Sequence, residues 1–74
     1  MLKEEQAIEI INSTLNMNLD PKNTPADVEL KSLGIDSLDF YDLLIALETA
    51  TGRSVPDDDV EKLSTIRNLV GYFS

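Results

Sequence analysis

The fold is decided by Leu33-Gly34-Ile35-Asp36-Ser37-Leu38-Asp39, which sets the start of a helix directly behind a glycine-bearing chain reversal. The free N–H groups of a first helical turn need acceptors. Asp36 is placed to serve as N-cap, and Asp39 three residues on completes a capping-box-like pair beside the positive end of the helix dipole. Ser37 then becomes the first helical residue with its hydroxyl turned to solvent, and Gly34 permits the reversal that brings the loop to the helix. Asp-Ser pairs also open helices that have no further role. The helix start therefore follows from the local pattern, but a role for Ser37 does not follow from it alone.

Beyond this start, residues 37 to 50 carry two apolar faces when wound at about 100° per residue. Phe40, Leu43, Leu44 and Leu47 fill an arc of about 100°, while Leu38, Tyr41 and Ile45 fill a second of about 60°. The wider arc is the core face. The narrower one is expected partly exposed near the serine, with Asp42 beside it and Glu48 further along, unless neighbouring loops cover it. Thr51-Gly52 ends the helix, glycine being favoured just past a C-terminus.

Outward from this helix the chain reads as all-α. Between Lys3 and Asn16 the residues Ala7, Ile10, Ile11 and Leu15 recur at helical spacing, and Ile8 falls off that stripe. The run from Asn16 to Asp36 is a long turn-rich loop, because its prolines fix φ and its Asn and Asp side chains compete locally for backbone groups. Loops of such length need pinning. Leu19, Val28, Leu30 and Leu33 are the candidate pins, with a short helical turn expected around Asp27–Lys31. A calcium loop starting at Asp20 is disfavoured, since Lys22, Thr24 and Pro25 stand where oxygen ligands and a glycine are required. After Val55-Pro56, the acidic run Asp57-Asp58-Asp59 suits the start of a short helix better than a cation site, because consecutive helical carboxylates diverge. Ser64 or Thr65 caps a last helix whose Ile66, Leu69, Val70 and Phe73 close the core. The expected fold is a small four-helix bundle of three main helices and one short one, with the long loop between the first two main helices.

Composition narrows the function. The chain has 74 residues, a formal net charge of −8, no cysteine and no histidine. One domain over residues 1–74 is all that fits, and its core must close without a disulfide or a Cys/His zinc site. No segment approaches the roughly 20 apolar residues needed to span a bilayer, and Met1 to Glu5 lacks the layout of a signal peptide, so a soluble cytoplasmic protein is expected. Six basic residues scattered among fourteen acidic ones disfavour nucleic acid and anionic membranes, and point to basic protein surfaces as partners. Without His or Cys, no self-contained Ser-His or Cys-His nucleophile can be built. Chemistry at Ser37 therefore requires that another molecule activate or modify it.

The Leu33–Asp39 run, the following Leu43-Leu44-Ile45-Ala46-Leu47-Glu48, the Val55-Pro56-Asp57 step and the Thr65-Ile66 helix start together resemble an acyl carrier protein over essentially the whole chain. The resemblance implies that a phosphopantetheinyl transferase attaches phosphopantetheine from coenzyme A to the Ser37 oxygen as a phosphodiester. The thiol of that arm then carries acyl groups as thioesters for fatty-acid, polyketide or related biosynthesis. The domain itself is no enzyme. It implies further that Asp36, Asp42 and Glu48 meet basic residues of acyl-loading, ketosynthase or acyltransferase partners around an apolar centre of Leu38, Tyr41 and Ile45. A monomer is expected. A peptidyl or aminoacyl carrier, and an unmodified acidic interaction module, are the alternatives.

The chain also departs from that family's pattern. Glu29, flanked by Val28 and Leu30, stands where a Phe is usual, so the loop anchor must be rearranged. Thr49, Ala50, Thr51 and Arg53 replace positions that are often acidic or aromatic. Phe40 and Tyr41 are bulkier than usual. An inward Phe40 would fill the space in which relatives shelter an acyl chain, which implies a short, polar or unsheltered cargo.

Overall fold

A computed structural model describes residues 2–73. Four helices follow one another in this part of the chain: α1 (Glu4–Leu15), α2 (Ser37–Thr51), α3 (Asp57–Val60) and α4 (Ile66–Phe73). No strand forms among the described residues, where extended pairing is limited to a single isolated bridge between Glu29 and Thr65. The architecture is the expected one of three main helices, one short helix and a long first loop.

α1 packs against both α2 and α4. The core joins Ala7, Ile8 and Ile11 of α1, Leu43, Leu44 and Leu47 of α2, and Ile66, Leu69 and Phe73 of α4. Ile8, expected off the buried stripe, is a core residue at 2% exposure, while Ile10 and Leu15 are only half-buried. The reason is geometric: a helix covered by two neighbours buries a wider arc than the single stripe of a surface helix. Among the described residues no polar or charged residue is buried, so the interior is uniformly apolar.

The first loop is tied down by hydrogen bonds that its composition did not reveal. α1 ends at Asn16 in the left-handed conformation, φ 55°. Asn12, one turn earlier, accepts the Leu19 N–H at 2.8 Å and donates to the Leu19 carbonyl at 3.0 Å. Asp20 spends its carboxylate on the Lys22 N–H at 3.0 Å and the Asn23 amide at 2.8 Å, closing a local turn. The helical turn expected over Asp27–Lys31 forms three residues later, as a 3-10 turn over Leu30–Leu33. It is displaced because the preceding residues pair with the start of α4. Leu30 N–H donates to the Ser64 carbonyl at 2.8 Å, and the Arg67 N–H donates to the Ala26 carbonyl at 3.0 Å. The second bond satisfies one of the orphan donors of a helix N-terminus. Leu30 is buried as expected, and Leu19 and Leu33 pack on the core from half-buried positions. Val28 is half-buried without belonging to that cluster, whereas Ala26 and Ile35 are buried pins that the pattern did not single out.

α4 opens with a reciprocal cap. Thr65 Oγ1 accepts the Asn68 N–H at 3.1 Å, and Asn68 Oδ1 accepts the Thr65 N–H at 3.2 Å. Its far end holds the chain between α2 and α3. Arg53 donates to the Tyr72 carbonyl at 3.0 Å, and the Tyr72 hydroxyl donates to Asp59 Oδ2 at 3.1 Å. Asp59 also meets Lys62 at 3.2 Å, so the third carboxylate of the acidic run is shared between Tyr72 and Lys62. Desolvation, the hydrogen bond to Asp59 and the negative charge of Asp59 raise the Tyr72 phenol above its ordinary pKa of 10.0.

Two outcomes follow from this packing. Ile8→Ala lowers unfolding free energy by about 2–5 kcal/mol in denaturant titrations, the range for an aliphatic side chain removed from a close-packed core. The Tyr72 proton is held more tightly in the folded state than in the unfolded one. Its contribution to stability is therefore complete below pH 10.0 and is lost as pH rises through the raised value. Tyr72→Phe accordingly shows a shallower alkaline loss of stability than the parent when melting temperature is followed against pH.

Candidate functional site

Ser37 sits where α2 begins, and the cap that starts the helix is built as its sequence requires. Asp36 adopts an extended conformation and its Oδ1 accepts the Asp39 N–H at 2.9 Å. The Asp36 carbonyl accepts the Phe40 N–H at 2.8 Å. The expected capping box is half formed: the Asp36 side chain bonds, while no return bond from the Asp39 carboxylate is found among the described residues. Gly34, at φ 89°, closes the 3-10 turn and supplies the left-handed residue that the reversal needs. Ile35 anchors the intervening residue in the core at 4% exposure, so the loop is fixed immediately before the serine.

The side chains of α2 divide as its two arcs predict. Leu43, Leu44 and Leu47 are buried, with Phe40 half-buried against the same core. Leu38, Tyr41 and Ile45 are 78%, 55% and 61% exposed, a degree of exposure that identifies them as an uncovered apolar stripe beside Ser37. Ser37, Asp36 and Asp42 are exposed as well. The ion pairs among the described residues join Lys31 to Glu29, Lys62 to Asp59 and Arg67 to Asp27, leaving the carboxylates of Asp36 and Asp42 out of such pairing.

Glu48 is placed differently from these two. It is half-buried, and its Oε2 accepts the Val55 N–H at 2.7 Å across the turn that follows α2. Expected as one of several surface carboxylates, it holds the chain leading into α3. The sequence carried a weak signal for this, since the Gly52 turn must leave nearby backbone donors in search of acceptors.

Beside Ser37 lies an open groove of about 350 Å³. Phe40 and Tyr41 line it from α2, Val60 from α3, and Leu63, Leu30 and Ile35 complete its apolar lining. The rings of Phe40 and Tyr41 are tilted at 56° with centroids 6.4 Å apart. Polar residues also line it, among them Glu29, Lys31, Glu61 and Ser64. The short helix expected after Val55-Pro56 gave no sign that Val60 and Leu63 would share a groove with Phe40.

An exposed hydroxyl at the first residue of a capped helix, next to a groove and an apolar stripe, suits a tethered group better than a reaction centre. Residues 5–73 match the family described as phosphopantetheine attachment site. The chain belongs to this family. Its members carry a covalently attached phosphopantetheine and act as carriers rather than enzymes. The residues around Ser37 fit such a group. The Asp36 side chain and carbonyl take the N–H groups of Asp39 and Phe40, leaving those of Ser37 and Leu38 at the helix N-terminus, where an anionic phosphodiester is favoured. The arm supplies, through its terminal thiol, the nucleophile that the composition lacks. No helix among the described residues is long and apolar enough to cross a membrane.

Stability measurements separate Glu48 from the exposed carboxylates. Glu48→Ala strands the Val55 N–H and lowers unfolding free energy by about 1–3 kcal/mol, whereas Glu48→Gln, which keeps an acceptor oxygen, retains most of it.

Proposed function

We propose that Ser37 is the attachment point of the phosphopantetheine arm, and that the protein is a discrete acyl carrier. In this reading a phosphopantetheinyl transferase uses coenzyme A as donor. The Ser37 oxygen attacks the phosphate that bears the pantetheine, the bond to the nucleotide portion breaks, and a phosphodiester to Ser37 results. The arm's thiol then holds acyl groups as thioesters and presents them to separate acyl-loading, ketosynthase or acyltransferase enzymes of fatty-acid, polyketide or related biosynthesis. The observation that carries this reading is the exposure of Ser37 as the first residue of α2, directly after the Asp36 cap.

The same reading assigns the docking surface. Leu38, Tyr41 and Ile45 form the desolvated centre of contact, and Asp36 and Asp42 steer basic partners toward it, a division in which the charges mainly raise the encounter rate. Glu48, tied to Val55, takes a lesser part. An acidic, cysteine-free domain that closes its core without disulfides suits a reducing cytoplasm, and we take the carrier to act there as a monomer.

Incubation with coenzyme A and a broad-specificity phosphopantetheinyl transferase adds one arm to the intact mass, on the peptide containing Ser37, and adds none to Ser37→Ala. Failure of several such transferases to modify the folded protein overturns the assignment. In the same assay Tyr41→Ala and Asp42→Lys slow modification while leaving the melting temperature close to the parent's. Unchanged rates in both remove the proposed surface.

A further inference from the structure

We infer that Lys31 is the positioning residue for the root of the arm: its ammonium pairs with the phosphodiester anion at Ser37 and holds it on the loop side of α2. This inference rests on the attachment of the arm to Ser37.

The charges around Ser37 create the need. Glu29, Asp36 and Glu61 line the groove together with Ser37, so the surroundings of the serine are already rich in carboxylate. A phosphodiester there adds one more negative charge next to Asp36. The start of α2 offers two N–H groups and the equivalent of about half a positive charge, and Asp36 already draws on that same helix end through its bond to the Asp39 N–H. The helix alone leaves the added anion short of a counter-charge.

Among the described residues that line the groove, Lys31 is the one cation. The other basic groups are engaged or lie elsewhere. Lys62 meets Asp59 at 3.2 Å, Arg67 meets Asp27 at 3.2 Å and Arg53 donates to the Tyr72 carbonyl at 3.0 Å, while Lys3 and Lys22 line no part of the groove. Lys31 itself pairs with Glu29 at 3.3 Å, with 80% and 52% of the two side chains exposed. So open a pair holds its partners weakly. An ammonium also carries three donors, so Lys31 can take a second anion without giving up Glu29.

The backbone keeps the two residues in a fixed relation. Lys31 lies in the 3-10 turn Leu30–Leu33, next to Leu30, and Ser37 stands two residues after Ile35. Leu30 and Ile35 are 3% and 4% exposed, and the Leu30 carbonyl accepts the Ile35 N–H at 3.3 Å. The two anchors are thus bonded to each other. Only the flexible stem of Lys31 has to find its place when the anion arrives, which keeps the ordering cost to one side chain.

Magnetic resonance on the arm-bearing protein, with attachment confirmed by intact mass, tests the inference. In the parent, attachment is expected to shift the Lys31 Nζ and Cε resonances, and about 1 M salt, which screens charges beyond about 3 Å, is expected to reverse most of that shift. The phosphorus resonance of the arm is expected to move in Lys31→Gln, to lie close to the parent's in Lys31→Arg, and to stay in place in Lys22→Gln, which removes the same charge away from the groove. Lys31→Gln is also expected to raise the unfolding constant of the arm-bearing form about 1.4- to fivefold more than that of the arm-free form, the span of an exposed ion pair. Lys31 resonances that do not respond to attachment overturn the inference. So does a phosphorus resonance in Lys31→Gln that coincides with the parent's, or one displaced equally in Lys22→Gln, which marks an effect of net charge alone. If Lys31→Gln takes up no arm, the Lys31 resonances of the parent decide. Absence of any arm on the parent instead counts against Ser37 as attachment point, so the two failures are distinct.

Discussion

The rotation of α2 about its own axis is fixed by burying Leu43, Leu44 and Leu47 against α1, and the rest of the site depends on that angle. Each leucine taken fully out of water contributes about 1.5–3 kcal/mol. Turning the helix to bury Leu38, Tyr41 and Ile45 instead would exchange three well-packed aliphatic side chains for two and a phenol in need of a hydrogen-bond partner. The first arrangement wins. The second stripe is left facing solvent as a direct result, and Ser37 is carried outward with it because it is the first residue of the same rigid rod. The exposed surface is thus the complement of the core contact.

The long first loop and the start of α4 satisfy one another. Leu30 and Ala26 exchange backbone hydrogen bonds with Ser64 and Arg67, and Leu30, Ala26 and Ile35 carry the apolar side of the same contact. This removes the difficulty posed by a loop of that length in a small domain, because its polar backbone groups meet partners while its few apolar residues join the core. It also positions Asp36. The cap residue follows a buried isoleucine and a left-handed glycine, so the beginning of α2 is held from the loop side as well as by its own first turn.

The parts of this arrangement written in periodicity were legible in the sequence. The two arcs of α2, the cap at Asp36, the glycine ends at Gly34 and Gly52 and the apolar spacing of α4 are local patterns, and local geometry decides them. The matching of Leu33–Asp39 and later runs to acyl carrier proteins agrees with the family to which the chain belongs. What remained hidden depended on neighbours. Ile8 is buried because two helices flank α1, the 3-10 turn is displaced because α4 captures the preceding backbone, and Glu48 turns inward because Val55 needs an acceptor. The groove arises in the same way, from the meeting of Phe40 with Val60 and Leu63, which are separated along the chain and share no motif.

The two sides of that groove are unequal in firmness. On one side stands α2, fifteen residues long and keyed into the core. On the other are α3, four residues with none fully buried, tied to α4 by the hydrogen bond between Asp59 and Tyr72, and the buried Leu63 that follows it. Segments with few buried contacts open at a small fraction of the free energy that unfolds the whole domain. The far wall is thus itself divided: Leu63, at 4% exposure, is keyed into the core like α2, and Val60 alone rides on the lightly held short helix, so any give in the groove is confined to the Val60 end.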